Sequence, residues 1–144
     1  MLEGKILVLS AETLEFTEVK FTGKKVPYEL LSEGVAGLIE HVTFNRKLQE
    51  SKIDVWCNDE GKLMDLKVSA LVVLDGLRGG LRGEEIVEQL VGNLVFSGSF
   101  RNSEGEIDSC GLSEKQILLI KETLTKREVY MYGKKTDVYI LPYK

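Results

Sequence analysis

The densest run of chemically useful groups is Gly76-Leu77-Arg78-Gly79-Gly80-Leu81-Arg82-Gly83, in which Gly-Leu-Arg-Gly occurs twice. Arg78 and Arg82 supply two permanent positive charges, while Gly79 and Gly80 leave backbone N–H groups uncovered, a combination that suits a phosphate. The run lacks the Gly-Lys-Ser/Thr ending of a P-loop and is no dinucleotide fingerprint, and Glu84-Glu85 would oppose an anion there. A solvent-exposed loop is the competing reading. His41 is the only histidine, which removes every mechanism that needs two imidazoles. Its setting, Glu40-His41-Val42, is that of an exposed or locally hydrogen-bonded structural side chain. Cys57 and Cys110 form no CxxC pair and have no zinc spacing with His41. Cys57 alternates with Ile53 and Val55 and is read as a core thiol. Neither a catalytic residue, a metal site nor a cofactor is assigned.

Two aromatic features suit binding rather than bond-breaking. With Ile53, Val55 and Cys57 on one face of a strand, Trp56 falls on the other, beside Asp54 and Asn58. It is a candidate platform for a flat ligand group, and the alternative is a covered indole whose N–H is satisfied by a neighbour. Near the C-terminus, Tyr130 and Tyr132 alternate with Val129 and Met131, and Tyr139, Leu141 and Tyr143 form a second alternating set. If strand register aligns them, the four tyrosines make a protein-contact face; core packing is the alternative.

The elements that must position these residues are read from periodicity. Lys5 to Ser10 and Glu15 to Phe21 predict an opening hairpin, and Pro27 with Leu30, Leu31, Val35 and Leu38 predicts a short amphipathic helix. Ile39 to Phe44 and Ile53 to Cys57 predict strands separated by the polar stretch Asn45 to Lys52, and Asn58-Asp59-Glu60-Gly61-Lys62 predicts a turn. Leu66 to Leu74 is compatible with strand or helix, Glu84 to Leu90 predicts a short helix, and Val91 to Phe100 a strand. Ser113-Glu114-Lys115-Gln116 is a capping-box pattern opening a helix with Ile117, Ile120 and Leu124 inward. Glu128 to Tyr132 and Asp137 to Leu141 predict a final hairpin through Gly133-Lys134-Lys135-Thr136. The expectation is an α+β fold: a mostly antiparallel sheet, two to three helices and a C-terminal β-hairpin, in one domain spanning 1–144.

Composition bounds the function classes. The 144 residues are 43% apolar and 29% charged, enough for a core without disulfides or metals. The longest apolar block, Ala70 to Leu74, is far short of a membrane span, and Met1-Leu2-Glu3-Gly4-Lys5 has no leader pattern, so a cytoplasmic chain without membrane contact is expected. The net charge of −4 argues against nucleic acid. From Lys121 onward six cations face three anions, which reads as a lysine-guarded hairpin or a surface for an anionic partner.

Four segments carry a family resemblance. Gly37-Leu38-Ile39-Glu40-His41-Val42 is similar to a Gly-aromatic-Ile-Glu-x-Val segment, and Asn58-Asp59-Glu60-Gly61-Lys62-Leu63 to an Asn-Glu-Glu-Gly-Lys-Leu turn. Val91-Gly92-Asn93-Leu94-Val95-Phe96-Ser97-Gly98 resembles an Ile-Val-Gly-x-x-x-Val-x-Gly strand, and Gly111 to Gln116 resembles a Ser-Leu-Thr-x-Glu-Gln helix start. In that order they resemble a family of small proteins, a domain of unknown function common in bacteriophages and other mobile elements, over roughly residues 5 to 125. Leu66-Lys67-Val68-Ser69-Ala70 departs from the family's Leu-Pro-x-Asn-Arg, and the tyrosine-rich hairpin, 126–144, lies beyond the usual domain. The resemblance implies no catalytic residues. It implies a setting, in which small accessory proteins antagonise host defences by binding a protein or trapping a nucleotide signal. The leading expectation is a non-enzymatic accessory protein that binds and neutralises a host component, a binder rather than an enzyme, assembled as a homo-oligomer. As a nucleotide trap it would use Arg78, Gly79, Gly80 and Arg82 on phosphate, with Trp56 and Asn58 on a base. As a blocker of a host defence protein it would use Tyr130, Tyr132, Tyr139 and Tyr143. The alternatives are a small hydrolase of a phosphorylated nucleotide, using His41 or carboxylates, and a purely structural or regulatory interaction module.

Overall fold

A computed structural model describes residues 3–74 and 86–143. The opening hairpin forms as β1 (Glu3–Leu9) and β2 (Phe16–Thr22), antiparallel with Leu9 opposite Phe16. Next come α1 (Tyr28–Val35), β3 (Ile39–Val42), α2 (Arg46–Glu50) and β4 (Ile53–Asn58). They are followed by β5 (Val68–Val73), β6 (Ile86–Val91), β7 (Leu94–Arg101) and β8 (Ile107–Cys110). The chain closes with α3 (Glu114–Thr123), β9 (Thr125–Met131) and β10 (Lys134–Pro142).

These strands build two sheets. The first has the order β2-β1-β7-β4-β3, with β8 taking over from β1 along β7. The second has the order β6-β5-β10-β9, antiparallel except for β5 against β10, which run parallel with Leu71 opposite Ile140. Alternation sorts the side chains: Leu7, Leu9, Val55, Leu94 and Phe96 of the first sheet share a core with Ala70, Val72, Leu90 and Leu141 of the second. Helix α3 closes that core with Ile117 and Ile120, and α2 adds Leu48. The outward set Ile6, Val95 and Val8 is covered by α1 through Leu31 and Val35. Gly34 is where α1 presses on β7, since a Cβ there would lie 2.4 Å from Val95 Cγ2.

The fold is mostly β rather than α+β, which corrects the expectation from sequence: of the described residues 49% are in strands and 18% in helices. The chief reason is the stretch Glu84 to Leu90, expected as a helix. Its described part is strand β6, rich in β-branched Ile86, Val87 and Val91, and it pairs with β5 across two register shifts. The open segment Leu66 to Leu74 contains β5, whose Ala70 and Val72 face the shared core while Leu71 and Val73, on its other face, cluster with Val129, Val138 and Ile140 of the neighbouring strands in the same sheet. The polar stretch Asn45 to Lys52 contains α2, whose N-terminus is capped by the Asn45 side chain accepting from Leu48 N–H at 2.9 Å. The capping box of α3 forms as expected: Ser113 Oγ accepts from Gln116 N–H and the Gln116 side chain accepts from Ser113 N–H. The last hairpin turns two residues earlier than expected, at Tyr132-Gly133, with φ of 52° and 76°. Two successive positive φ values match the right-handed twist of the flanking strands.

Candidate functional site

The end of the second sheet that carries the Tyr132-Gly133 turn is where loops, charges and exposed aromatics meet. The loop after β4 is tied down first. Asn58 is buried, and its amide donates to Val35 O and Ala36 O, each at 3.1 Å, while its Oδ1 accepts from Glu60 N–H at 2.8 Å. The following residues wind through Met64 N–H to Glu60 O and Leu66 N–H to Gly61 O, and Lys67 O accepts from Gly92 N–H at 2.7 Å. This winding sets the Lys62 to Lys67 segment beside β6 and opposite the hairpin turn.

Between them lies a cleft of about 570 Å³. Its charged lining is three lysines, Lys62, Lys67 and Lys134, against one aspartate, Asp65. Gln89 and Thr136 add hydrogen-bonding groups, Val68, Val91 and Met131 an apolar floor, and Tyr132 an aromatic lip. Lys62 is already held by an ion pair with Glu88. That pair keeps the Glu88 carboxyl below its usual range, chiefly through the Lys62 hydrogen bond. Lys67 and Lys134 have no carboxylate partner among the described residues.

Lys62, Gln89 and Val91 also border a smaller cleft of about 220 Å³ between β3 and β6, the edge strands of the two sheets. Here the lining is acidic, with Glu40, Asp59 and Glu88. A hydrogen bond with the Asp59 carboxyl, then desolvation and the Asp59 charge, hold the Glu40 carboxyl above its usual range. The basic and acidic clefts thus meet at the Lys62–Glu88 pair.

The residues singled out in the sequence fall in several places. Trp56 lies on the outward face of the first sheet, half-buried, donating its indole N–H to Ser97 Oγ at 2.9 Å. The His41 ring sits 4.9 Å from it, and His41 Nε2 is 3.1 Å from Asp54 Oδ1. Burial pushes the Asp54 carboxyl up, against the opposing pull of His41. Asn58 is spent on anchoring α1. Arg78, Gly79, Gly80 and Arg82 lie outside the described residues. The four tyrosines divide: Tyr130 and Tyr132 are 73% and 88% exposed. Tyr139 packs on Phe16 and donates to Leu14 O at 3.1 Å, and Tyr143 packs against Phe44. Cys57 is in the shared core, where burial pushes its thiol up to about 11, so it is protonated at neutral pH. Among the described residues no three His, Cys, Asp or Glu side chains are arranged to hold a metal ion.

The basic cleft escaped sequence reading because Lys62, Lys67 and Lys134 come from segments joined only by the parallel β5–β10 pairing. The available signal was the cationic excess after Lys121, which lacked a surface on which to place it.

A two-sheet β protein with a loop-and-hairpin cleft at one end is thus the class that fold and site define. The sequence pattern described as a domain of unknown function (DUF3846) matches residues 4–125, and the chain belongs to that family. No curated protein and no solved structure matches the chain. Among the described residues no helix is long and apolar enough to cross a membrane.

Proposed function

We propose that this chain is a non-enzymatic accessory protein of a phage or mobile element that binds and neutralises a host component in the host cytoplasm. Its binding end is the hairpin turn of the second sheet with the adjoining basic cleft. One observation carries this reading: Tyr132 is 88% exposed and sits at φ 52° in a two-residue turn. Asn or Asp would adopt that conformation more cheaply, and a bulky side chain there costs on the order of 1 kcal/mol. A large aromatic held in solvent at a local cost, with Tyr130 beside it, is what a contact surface requires and what a core does not. Tyrosine brings area and a polar tip with only two rotatable side-chain bonds, and Lys134 and Lys135 supply charge for an anionic partner. The partner is a host defence protein or a nucleotide-derived signal, and the acting form is a homo-oligomer.

Native mass spectrometry of the purified chain, before and after mixing with host lysate, tests this reading. The expected result is an oligomer that gains a defined mass, released chemically unchanged on denaturation. Tyr130→Ala with Tyr132→Ala is expected to lose the added mass while keeping the same thermal melt. An added mass that survives the double substitution would remove the hairpin turn from the binding surface, and a ligand released as a cleaved product would replace binding with hydrolysis.

A further inference from the structure

We infer that the cleft between the Lys62 to Lys67 segment and the hairpin turn is a pocket for a phosphorylated nucleotide. Phosphate would lie on Lys67 and Lys134, and the base against Tyr132. The inference deepens the reading above by naming a ligand class for the same end of the molecule, and it rests on that reading. It needs neither Arg78 nor Arg82.

Size, charge and chemistry converge on this ligand. A volume of about 570 Å³ falls within the range of small-molecule sites, roughly 300 to 1,000 Å³. In a chain with a net charge of −4, three of the four charged side chains lining this cleft are lysines. Lys62 is partly neutralised by Glu88, which leaves Lys67 and Lys134 to meet the ligand's charge. Lys67 immediately precedes β5 and Lys134 opens β10, and because these strands are parallel neighbours both lysines come to the same end of the sheet and line one cleft, where a phosphate chain could meet both. Phosphate alone would leave the apolar floor of Val68, Val91 and Met131 and the exposed ring of Tyr132 unused. A base would cover both, and the Gln89 amide and Thr136 hydroxyl offer donors and acceptors to its edge. The neighbouring acidic cleft disfavours an anion beyond Lys62, which restricts the ligand to the basic side.

Titration calorimetry on the full chain at low salt tests this, with adenosine triphosphate, inorganic tripolyphosphate and adenosine as probes. The expected order is triphosphate nucleotide tightest, tripolyphosphate weaker and adenosine weakest, with affinity falling as salt is raised. Lys67→Ala with Lys134→Ala should weaken nucleotide binding by about a hundredfold, roughly tenfold for each lysine removed. Lys126→Ala with Arg127→Ala, an equal charge loss at the far end of the same hairpin, should change it little. Tyr132→Ala should reduce nucleotide affinity to that of tripolyphosphate and leave tripolyphosphate unchanged. Absence of nucleotide binding at millimolar concentration would overturn the inference, as would equal weakening by the two charge-removing pairs. If nucleotide fails to bind but Tyr130→Ala with Tyr132→Ala still abolishes the mass gained from lysate, the inference fails and the binding end stands. Loss of both removes both.

Discussion

Asn58 carries more of the local architecture than its surface-turn sequence suggests. One buried amide side chain joins the C-terminal end of α1 to the loop that forms a wall of the basic cleft. Replacing it with alanine leaves two carbonyl oxygens and an N–H without that partner, so Asn58→Ala should cost about 2 to 3 kcal/mol. The check is urea unfolding, where the midpoint should fall with little change in slope. Glu40 makes an opposite case, because its neighbours oppose its charge. Its carboxyl titrates above the ordinary 4.5 in the folded chain, so the native state holds its proton longer than the unfolded state. The stabilising contribution is present below the unfolded value and is lost as pH rises through the raised folded value. Glu40→Gln stays neutral throughout. Its melting temperature relative to the parent should therefore be higher at pH 7 than at pH 4, and a relative melting temperature lower at pH 7 than at pH 4 would show that the Asp59 contact does not oppose the charge.

At the scale of elements, the last hairpin is the feature that local sequence describes best and explains least. Its strands follow from alternation, although the turn falls at Tyr132-Gly133 rather than over Gly133 to Thr136, and nothing local announces that β10 lies between β5 and β9. That place is set by contacts across some seventy positions, Tyr139 against Ala70 and Leu141 against Val72. Likewise the opening hairpin, α1, β4 and the α3 capping box were legible because each depends on its own side chains. Strand β6 was not, because its few apolar residues fit a helical face as well as a strand, and the choice is made by its pairing with β5. The family match stops at residue 125, before β10 begins. A chain ending at Thr125 would lose Val138, Ile140 and Leu141, all buried, at about 2 kcal/mol each, comparable to the whole stability of many domains. It should show no cooperative melt by circular dichroism, whereas a cooperative transition would mean that β5 and β6 suffice for the second sheet.

For the whole molecule, the two sheets divide the work. Both sheets supply the core, and the first carries Trp56, His41 and Asp54 on its outward face, each already engaged with a neighbour. The second ends in exposed tyrosines and a basic cleft. The candidate surface was therefore only half legible in the sequence: Tyr130 and Tyr132 stood out by alternation, while the lysines of the cleft are assembled by the fold. Of the four tyrosines expected on one face, Tyr139 in β10 packs against Phe16 and Tyr143, just after that strand, packs against Phe44. The most direct test of the proposed binding surface is hydrogen–deuterium exchange on the full chain, alone and after saturation with whatever component native mass spectrometry shows it to gain from host lysate. Slower exchange on binding is expected in segments 62–68 and 130–136, with residues 39–42 and 53–57 unchanged. Protection confined to the strands carrying His41 and Trp56 would contradict the account and move the binding surface to the first sheet.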